Sequence, residues 1–182
     1  MANSEEPRIL LAHGGGGTLM QELLSQVVLP RLANPVLARL EDAAVLAAPA
    51  EGLAFTTDAF VVKPLFFRGG DIGRLAVCGT VNDLAAMGAR PLALSLAMII
   101  EEGLPVATLE RVLDSLAATA REAGVQVVAG DTKVVERGAA DGLYLTTAGI
   151  GGVPEGITLG PDKVRVGDAI LVTGTLGDHG VA

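Results

Sequence analysis

The clearest pattern in the chain is an apolar stripe between residues 105 and 124. After Pro105 and Thr108, apolar residues recur there at three- and four-residue intervals, and Gly124 follows where a helix commonly ends. The five stripe residues are Leu109, Val112, Leu113, Leu116 and Ala120. Just upstream, the nearly uninterrupted apolar run of residues 91–100 predicts a long buried strand. Residues 125–129 predict another strand, which we expect to end at Gly130.

A second helix is predicted to begin after Asp71, which suits an N-cap, and to stop at Gly88. Its apolar positions recur at helical spacing, and one of them is a carboxylate: the set is Ile72, Leu75, Ala76, Gly79, Asp83 and Met87. A lone buried carboxylate costs several kcal/mol unless it is paired, protonated or bound to a cation. We therefore expect Asp83 to be buried and to meet a partner.

Shorter signals complete the predicted fold. Thr18, with Gln21 at capping-box spacing, opens a helix that Pro30 and the Asn34-Pro35 pair bring to an end. Apolar runs predict short strands at residues 8–12, 41–46, 53–57, 143–150 and 168–173, and an extended segment at 61–67. The expected class is α+β, with a mixed β-sheet of about six strands packed against two or three helices.

Composition narrows the function classes. Half of the 182 residues are hydrophobic but only 3% are aromatic, so the core must be aliphatic. The net charge of −8 and the lack of a Lys/Arg cluster argue against nucleic acid. The apolar runs are shorter than the roughly 20 residues of a membrane span, and the first residues do not resemble a signal peptide. We expect a cytoplasmic protein without a membrane segment.

The cysteine and histidine content limits the metals. Cys78 is the only cysteine, which excludes an internal disulfide. One cysteine and two histidines are also too few nitrogen and sulfur ligands for a four-ligand zinc site. Any metal should therefore be a hard cation held by oxygen. Cys78 itself lies in the interior of the predicted helix, which favours a buried structural thiol over a nucleophile.

Four aspartates supply candidate oxygen ligands. Asp42, Asp58 and Asp131 lie at predicted strand ends, and Asp83 lies on the helix. Acidic oxygen donors suit Mg²⁺, which usually shares its remaining positions with water and substrate phosphates. For Asp42 and Asp131 a turn or capping role is equally consistent with the pattern.

A glycine run precedes the first helix. Gly14, Gly15, Gly16 and Gly17 follow His13, and their backbone N–H groups could receive phosphate oxygens. The run is neither a Walker A loop nor a dinucleotide fingerprint, and a flexible loop is an open alternative. Lys133, close to Asp131, could neutralise a phosphate or simply be solvated.

In order and spacing, these motifs resemble the HypE family, the carbamoyl dehydratases of nickel–iron hydrogenase maturation. The resemblance rests on residues 11–17, 41–45, 55–58, 64–73, 77–89, 101–105, 130–135 and 174–180. The wider superfamily of aminoimidazole ribonucleotide synthetase, selenophosphate synthetase and thiamine-monophosphate kinase shares the acidic positions. It does not share the Glu-Glu-Gly-Leu-Pro segment at 101–105 or the Gly-Asp-His-Gly segment at 177–180. Arg68 departs from the family, which usually has proline there.

The resemblance implies a domain at residues 1–170 that binds ATP and Mg²⁺ and forms a homodimer whose two sheets close into a barrel. Residues 171–182 would begin a C-terminal domain that is missing from this chain. The implied nucleotide-binding residues are Gly14, Gly15, Gly16, Gly17, Asp42, Asp58, Asn82, Asp83, Gly130, Asp131, Thr132 and Lys133. Within that set, the implied metal ligands are Asp42, Asp58, Asp83 and Asp131.

In HypE-like proteins, ATP dehydrates a carbamoyl group on a C-terminal cysteine to a thiocyanate, the source of the cyanide ligands on iron. The implied partners are the carbamoyltransferase HypF, as donor, and the HypC–HypD complex, as acceptor. The expected catalytic cysteine lies outside this chain, so the chain should not complete the reaction.

Two other readings remain open. One is a different ATP-using member of the superfamily, of the selenophosphate synthetase or thiamine-monophosphate kinase type. The first of these normally has a reactive Cys or Sec in its glycine-rich segment, where this chain offers only His13. The other reading is a module for dimerisation or partner docking alone, which Mg-ATP binding would distinguish.

Overall fold

A mixed four-stranded sheet is the centre of the fold. The computed structural model describes residues 7–40, 44, 46, 52–172 and 174–177. The strands are β1 (Gly52–Phe60), β4 (Arg90–Glu101), β5 (Val127–Val135) and β6 (Leu143–Val153), in the order β1-β6-β4-β5. β6 is antiparallel to both β1 and β4, whereas β4 and β5 are parallel. A separate hairpin pairs β2 (Phe66–Phe67) with β3 (Gly70–Asp71).

The helices bury one face of this sheet. The N-terminal helix comprises α1 (Thr18–Leu23), a π-helical segment (Leu24–Val28) and α2 (Leu29–Leu32). α3 (Ile72–Ala86) follows the hairpin, and α4 (Val106–Glu122) crosses from β4 to the parallel strand β5. Short 3₁₀ turns lie at Leu11–Gly14, Leu37–Arg39 and Pro161–Lys163. Among the described residues, no helix combines the length and apolar character that crossing a membrane requires.

The α4 prediction is confirmed in detail. All five predicted stripe residues are buried: Leu109, Val112, Leu113, Leu116 and Ala120. Gly124 has φ +68°, the left-handed conformation that ends a helix at little cost for glycine. α4 packs closely on α3 at Gly73, where an added Cβ would lie 2.3 Å from the carbonyl oxygen of Val112.

α3 begins as predicted but buries a different face. The Asp71 side chain caps it by accepting the N–H groups of Gly73 at 2.8 Å and Arg74 at 3.2 Å. The buried residues are Ile72, Gly73, Ala76, Val77, Thr80 and Leu84. The expected burial of Asp83 is therefore wrong: its side chain is exposed, because the face that meets the sheet is rotated toward Val77 and Thr80.

Several strand predictions are also corrected. Residues 8–12 form an isolated bridge at Arg8 and the start of a 3₁₀ turn, and residues 168–172 form no strand because they lie exposed with no neighbouring strand to pair with. The described residues give a four-stranded sheet and a hairpin instead of about six strands in one sheet. The predicted strand at 41–46 falls mostly outside the described residues.

Three boundaries differ for physical reasons. β1 extends to Phe60, so Asp58 lies within a strand and not after it. β5 continues past Gly130 to Val135 because its pairing with β4 continues. Gly130 itself lies close to β4, since a Cβ added to it would lie 2.5 Å from the Leu96 carbonyl oxygen. The N-cap of α1 is Gly17 and no side chain caps it, so the capping box predicted for Thr18 does not form.

Candidate functional site

Two of the predicted carboxylates, Asp58 and Asp83, lie where β1 packs on α3. Thr56 and Asp58 are two residues apart on β1 and therefore share one face of the strand. The Thr56 hydroxyl donates a hydrogen bond of 2.9 Å to Oδ2 of Asp83 on α3. Asp58 lies against Gly79, one helical turn before Asp83: a Cβ added there would be 3.2 Å from Oδ2 of Asp58. We call Thr56, Asp58, Gly79 and Asp83 the β1–α3 cluster.

The β1–α3 cluster offers only oxygen donors to solvent. Asp58 is half-buried and Asp83 is exposed. Thr56 donates to Oδ2 of Asp83, whereas Oδ1 of Asp83 accepts no hydrogen bond within the described part of the chain. Asn82, also implied as a nucleotide contact, is exposed next to Asp83 on α3. Carboxylate and hydroxyl oxygens of this kind suit a hard divalent cation.

The glycine run lies at the other edge of the sheet, against β5. Gly14 packs so closely on this strand that an added Cβ would lie 2.8 Å from the backbone nitrogen of Val134. The run is thereby placed beside Lys133, the residue that precedes Val134, and Asp131 lies two positions earlier on the same strand. Gly16 has φ +76°, which glycine adopts without strain. We call Gly14–Gly17 together with Asp131 and Lys133 the glycine-loop group.

The alternation of β5 separates its own predicted residues. Thr132 is buried, while Asp131 and Lys133 are exposed on the opposite face of the strand. Oδ1 of Asp131 accepts the N–H of Thr132 at 2.8 Å. Gly130 and Thr132 border an apolar cavity of about 240 Å³ between the sheet and the N-terminal helix, where Met20, Leu24 and Leu96 contribute to the wall.

The β1–α3 cluster and the glycine-loop group do not meet within one chain. In the strand order, Asp58 pairs with Thr147, which pairs with Leu96, which pairs with Gly130. Three strand spacings of about 4.8 Å put β1 and β5 roughly 14 Å apart. Among the described residues, no three His, Cys, Asp or Glu side chains converge on one point. Asp42, the fourth predicted ligand, lies outside the described residues, so the four-aspartate metal set stays a prediction.

Sequence reasoning missed Thr56 and Gly79. Thr56 lies in a β-branched run that indicates only a strand, and the spacing of Gly79 predicts a place on an apolar helix face. The signal that could have found both is their spacing: Thr56 precedes Asp58 by two, and Gly79 precedes Asp83 by four. Cys78, expected to be buried, is half-buried because it lies at the edge of the α3 face that Val77 occupies.

Residues 40–153 match the family model described as AIR synthase related protein, N-terminal domain. The chain belongs to this family. It is 52% identical over 177 residues to Carbamoyl dehydratase HypE of Escherichia coli strain K12, covering 94% of this chain and 53% of that protein. The resemblance to HypE that the motifs indicate is thus confirmed. The chain spans about half the length of the curated relatives it matches.

Solved structures agree with this family assignment. The chain superposes with a TM-score of 0.91 and 50% identity on the hydrogenase maturation protein HypE in complex with ATP, covering 94% of this chain and 51% of that one. A HypE–HypF complex matches with a TM-score of 0.59 and 50% identity, covering 78% of this chain and 44% of that one. These similarities confirm the predicted fold of a mixed β-sheet packed by helices.

Proposed function

We propose that this chain is the nucleotide-binding part of an ATP-dependent carbamoyl dehydratase of the HypE type. The observation that carries the proposal is its agreement, over nearly the whole chain, with a HypE structure that contains ATP. The identity of about 50% to HypE proteins favours this reading over the other ATP-using members of the superfamily.

The residues present fit Mg-ATP in their chemistry. The β1–α3 cluster supplies carboxylates for Mg²⁺, and the glycine-loop group supplies backbone N–H groups and the Lys133 ammonium for phosphate oxygens. Gly14 and Gly130 pack so closely on β5 and β4 that an added Cβ would collide with the backbone of those strands, so both positions require glycine. We propose Asp42, Asp58, Asp83 and Asp131 as the metal-ligating set.

A homodimer through the open face of the sheet would cover apolar side chains. The sheet face away from the helices exposes apolar side chains, including Phe55, which is 68% exposed, and Ile99 at 40%. Asp131 and Lys133 lie on this same open face, in register with Ala97 and Ile99. Pairing of two such faces into a closed barrel would cover the apolar residues.

The remaining parts of the reaction lie beyond these residues. We propose that residues 1–170 form the nucleotide-binding and dimerisation domain and that residues 171–182 begin a second domain. Bound ATP would transfer a phosphoryl group to the oxygen of a protein S-carboxamide, so that this oxygen leaves as phosphate and a thiocyanate remains. HypF is the proposed carbamoyl donor, and the HypC–HypD complex the proposed acceptor of the cyanide.

Isothermal titration calorimetry of the chain with ATP tests this proposal. With Mg²⁺ we expect saturable binding that EDTA abolishes. A chain that dimerises but binds no nucleotide would support the dimerisation or docking module instead. Mg-ATP binding that tightens on addition of thiamine monophosphate or selenide would favour the corresponding superfamily enzyme over a carbamoyl dehydratase.

A further inference from the structure

His13 connects the anchored N-terminal segment to the glycine run. The side-chain Nδ1 of His13 accepts the backbone N–H of Leu10 at 2.8 Å, and the backbone N–H of His13 donates to the Leu10 carbonyl at 2.9 Å. This reciprocal pair closes the 3₁₀ turn Leu11–Gly14, immediately before Gly15. The imidazole is half-buried, and its hydrogen bond with the Leu10 N–H lies at the protein surface.

The segment before His13 is held in place independently. Ile9 is fully buried, its N–H donates to the Leu104 carbonyl at 2.8 Å, and its carbonyl accepts the Gly103 N–H at 2.8 Å. The carboxylate of Glu102 lies 3.4 Å from the Leu11 nitrogen and accepts its N–H. The residues before the turn are therefore held in a fixed position, and the His13 side chain contributes to the conformation of the turn that leads to Gly14.

Beyond His13, the chain meets β5 at once. Gly14 abuts the Val134 backbone, and Val134 follows Lys133 directly. A change in the turn would move Gly14 away from β5 and with it the backbone N–H groups of the run. The side-chain hydrogen bond of His13 is thus one of the contacts that orient Gly14–Gly17.

We infer that His13 is a positioning residue, a neutral imidazole whose Nδ1 fixes Gly14–Gly17 beside Lys133 for the phosphates of the nucleotide. This inference rests on the proposed function for its ligand. An Nδ1 that accepts an N–H must carry no proton, so the ring proton is on Nε2. The requirement is for an acceptor at this position, and an asparagine Oδ1 meets it.

The test compares His13→Asn, which keeps an acceptor near the Nδ1 position, with His13→Phe, which keeps a ring and removes the acceptor. NMR of the wild-type imidazole should show the Nε2–H tautomer. His13→Phe should shift the amide resonances of Gly14–Gly17 and weaken Mg-ATP binding about tenfold, whereas His13→Asn should restore both to near wild type.

The outcomes separate this inference from the proposed function. If wild type binds no Mg-ATP, the proposed function fails for this chain, while the tautomer and the glycine amide resonances still decide the role of His13. An Nδ1–H tautomer, or a His13→Phe variant with unchanged glycine resonances, would overturn the inference. So would a His13→Asn variant as impaired as His13→Phe, because the acceptor would then not be what matters.

Discussion

Oγ1 of Thr56 donates a 2.9 Å hydrogen bond to Oδ2 of Asp83 and so joins β1 to the exposed side of α3. The contact fixes one oxygen of an exposed carboxylate while leaving the side chain open to solvent. Asp83 therefore escapes the desolvation cost that a buried position would impose. A carboxylate that is accessible and oriented can bind a cation without a large rearrangement.

Thr56→Val should weaken Mg-ATP binding about two- to tenfold, because it removes the donor that orients Asp83. The change keeps the shape and β-branching of the side chain, so β1 should remain intact. Calorimetry of the wild type and variant measures the effect. Thr57→Val is the matched control, since the Thr57 hydroxyl donates to the Thr147 carbonyl at 3.1 Å and not to a carboxylate of the cluster. Equal weakening by both variants would show that Thr56 has no special role.

Gly73→Ala should destabilise the fold by about 3 kcal/mol, since its Cβ would lie 2.3 Å from the Val112 backbone oxygen and force α3 away from α4. For a chain of this size we expect a melting temperature lower by roughly 6–12 °C. Gly17→Ala, whose Cβ would meet nothing within 4 Å, is the stability control. Thermal melts that show the same loss for both variants would contradict the close α3–α4 packing.

Glu101 should make a pH-dependent contribution to stability. Hydrogen bonds from the N–H groups of Gly138, at 2.6 Å, and Gly142, at 2.9 Å, lower the pKa of its carboxyl below the ordinary value of 4.5. A lowered native pKa means that this contribution is present above the unfolded-state pKa and is lost as pH falls through the native pKa.

The free energy of unfolding of the wild type should therefore exceed that of Glu101→Gln at pH 7, and the difference should shrink as the pH falls below about 4.5. Denaturant titrations between pH 7 and pH 3 measure it. Glu155→Gln, at an exposed loop position, is the charge-matched control. A difference that grows on acidification would have the wrong sign for this mechanism.

The chain should form a homodimer through the open sheet face. Light scattering at micromolar concentration should give about twice 18.4 kDa. Phe55→Asp should shift the mass toward the monomer, because it places a charge in an apolar interface. Val166→Asp, at a fully exposed valine away from the sheet, should leave the mass unchanged. A wild-type mass of 18.4 kDa alone would refute the dimer.

The sequence predicts well those elements whose hydrophobic pattern is compatible with only one secondary structure and one buried face. The α4 stripe is amphipathic without ambiguity, and the run within β4 is too apolar to be exposed. α3 is different, since Leu75 and Met87 look like core residues yet are 40% and 52% exposed. Its true buried face includes Gly73 and Thr80, whose roles depend on contacts with α4 and β6.

The candidate site was predictable residue by residue but not in its arrangement. The sequence pattern indicates both Asp58 and Asp83, yet their proximity depends on the packing of β1 against α3 through Thr56 and Gly79. The distance between β1 and β5 depends on strand order, which places two strands between them. Sequence spacing carries no information on either relationship, because both are long-range contacts.

Asp83→Asn, followed by thermal melts with and without Mg-ATP, tests whether Asp83 binds the metal ion that accompanies ATP. Asparagine keeps an oxygen to accept the Thr56 hydrogen bond and removes the charge that would bind the cation. We expect the melting temperature without ligand to stay within about 3 °C of wild type, and the stabilisation by Mg-ATP to be largely lost as binding weakens at least about tenfold. Asp162→Asn, at an aspartate paired with its neighbour Lys163, should retain the full Mg-ATP shift. An Asp83→Asn chain with a much lower melting temperature without ligand, but with the full stabilisation by Mg-ATP, would show that Asp83 has a structural role and would contradict its proposed role as a metal ligand.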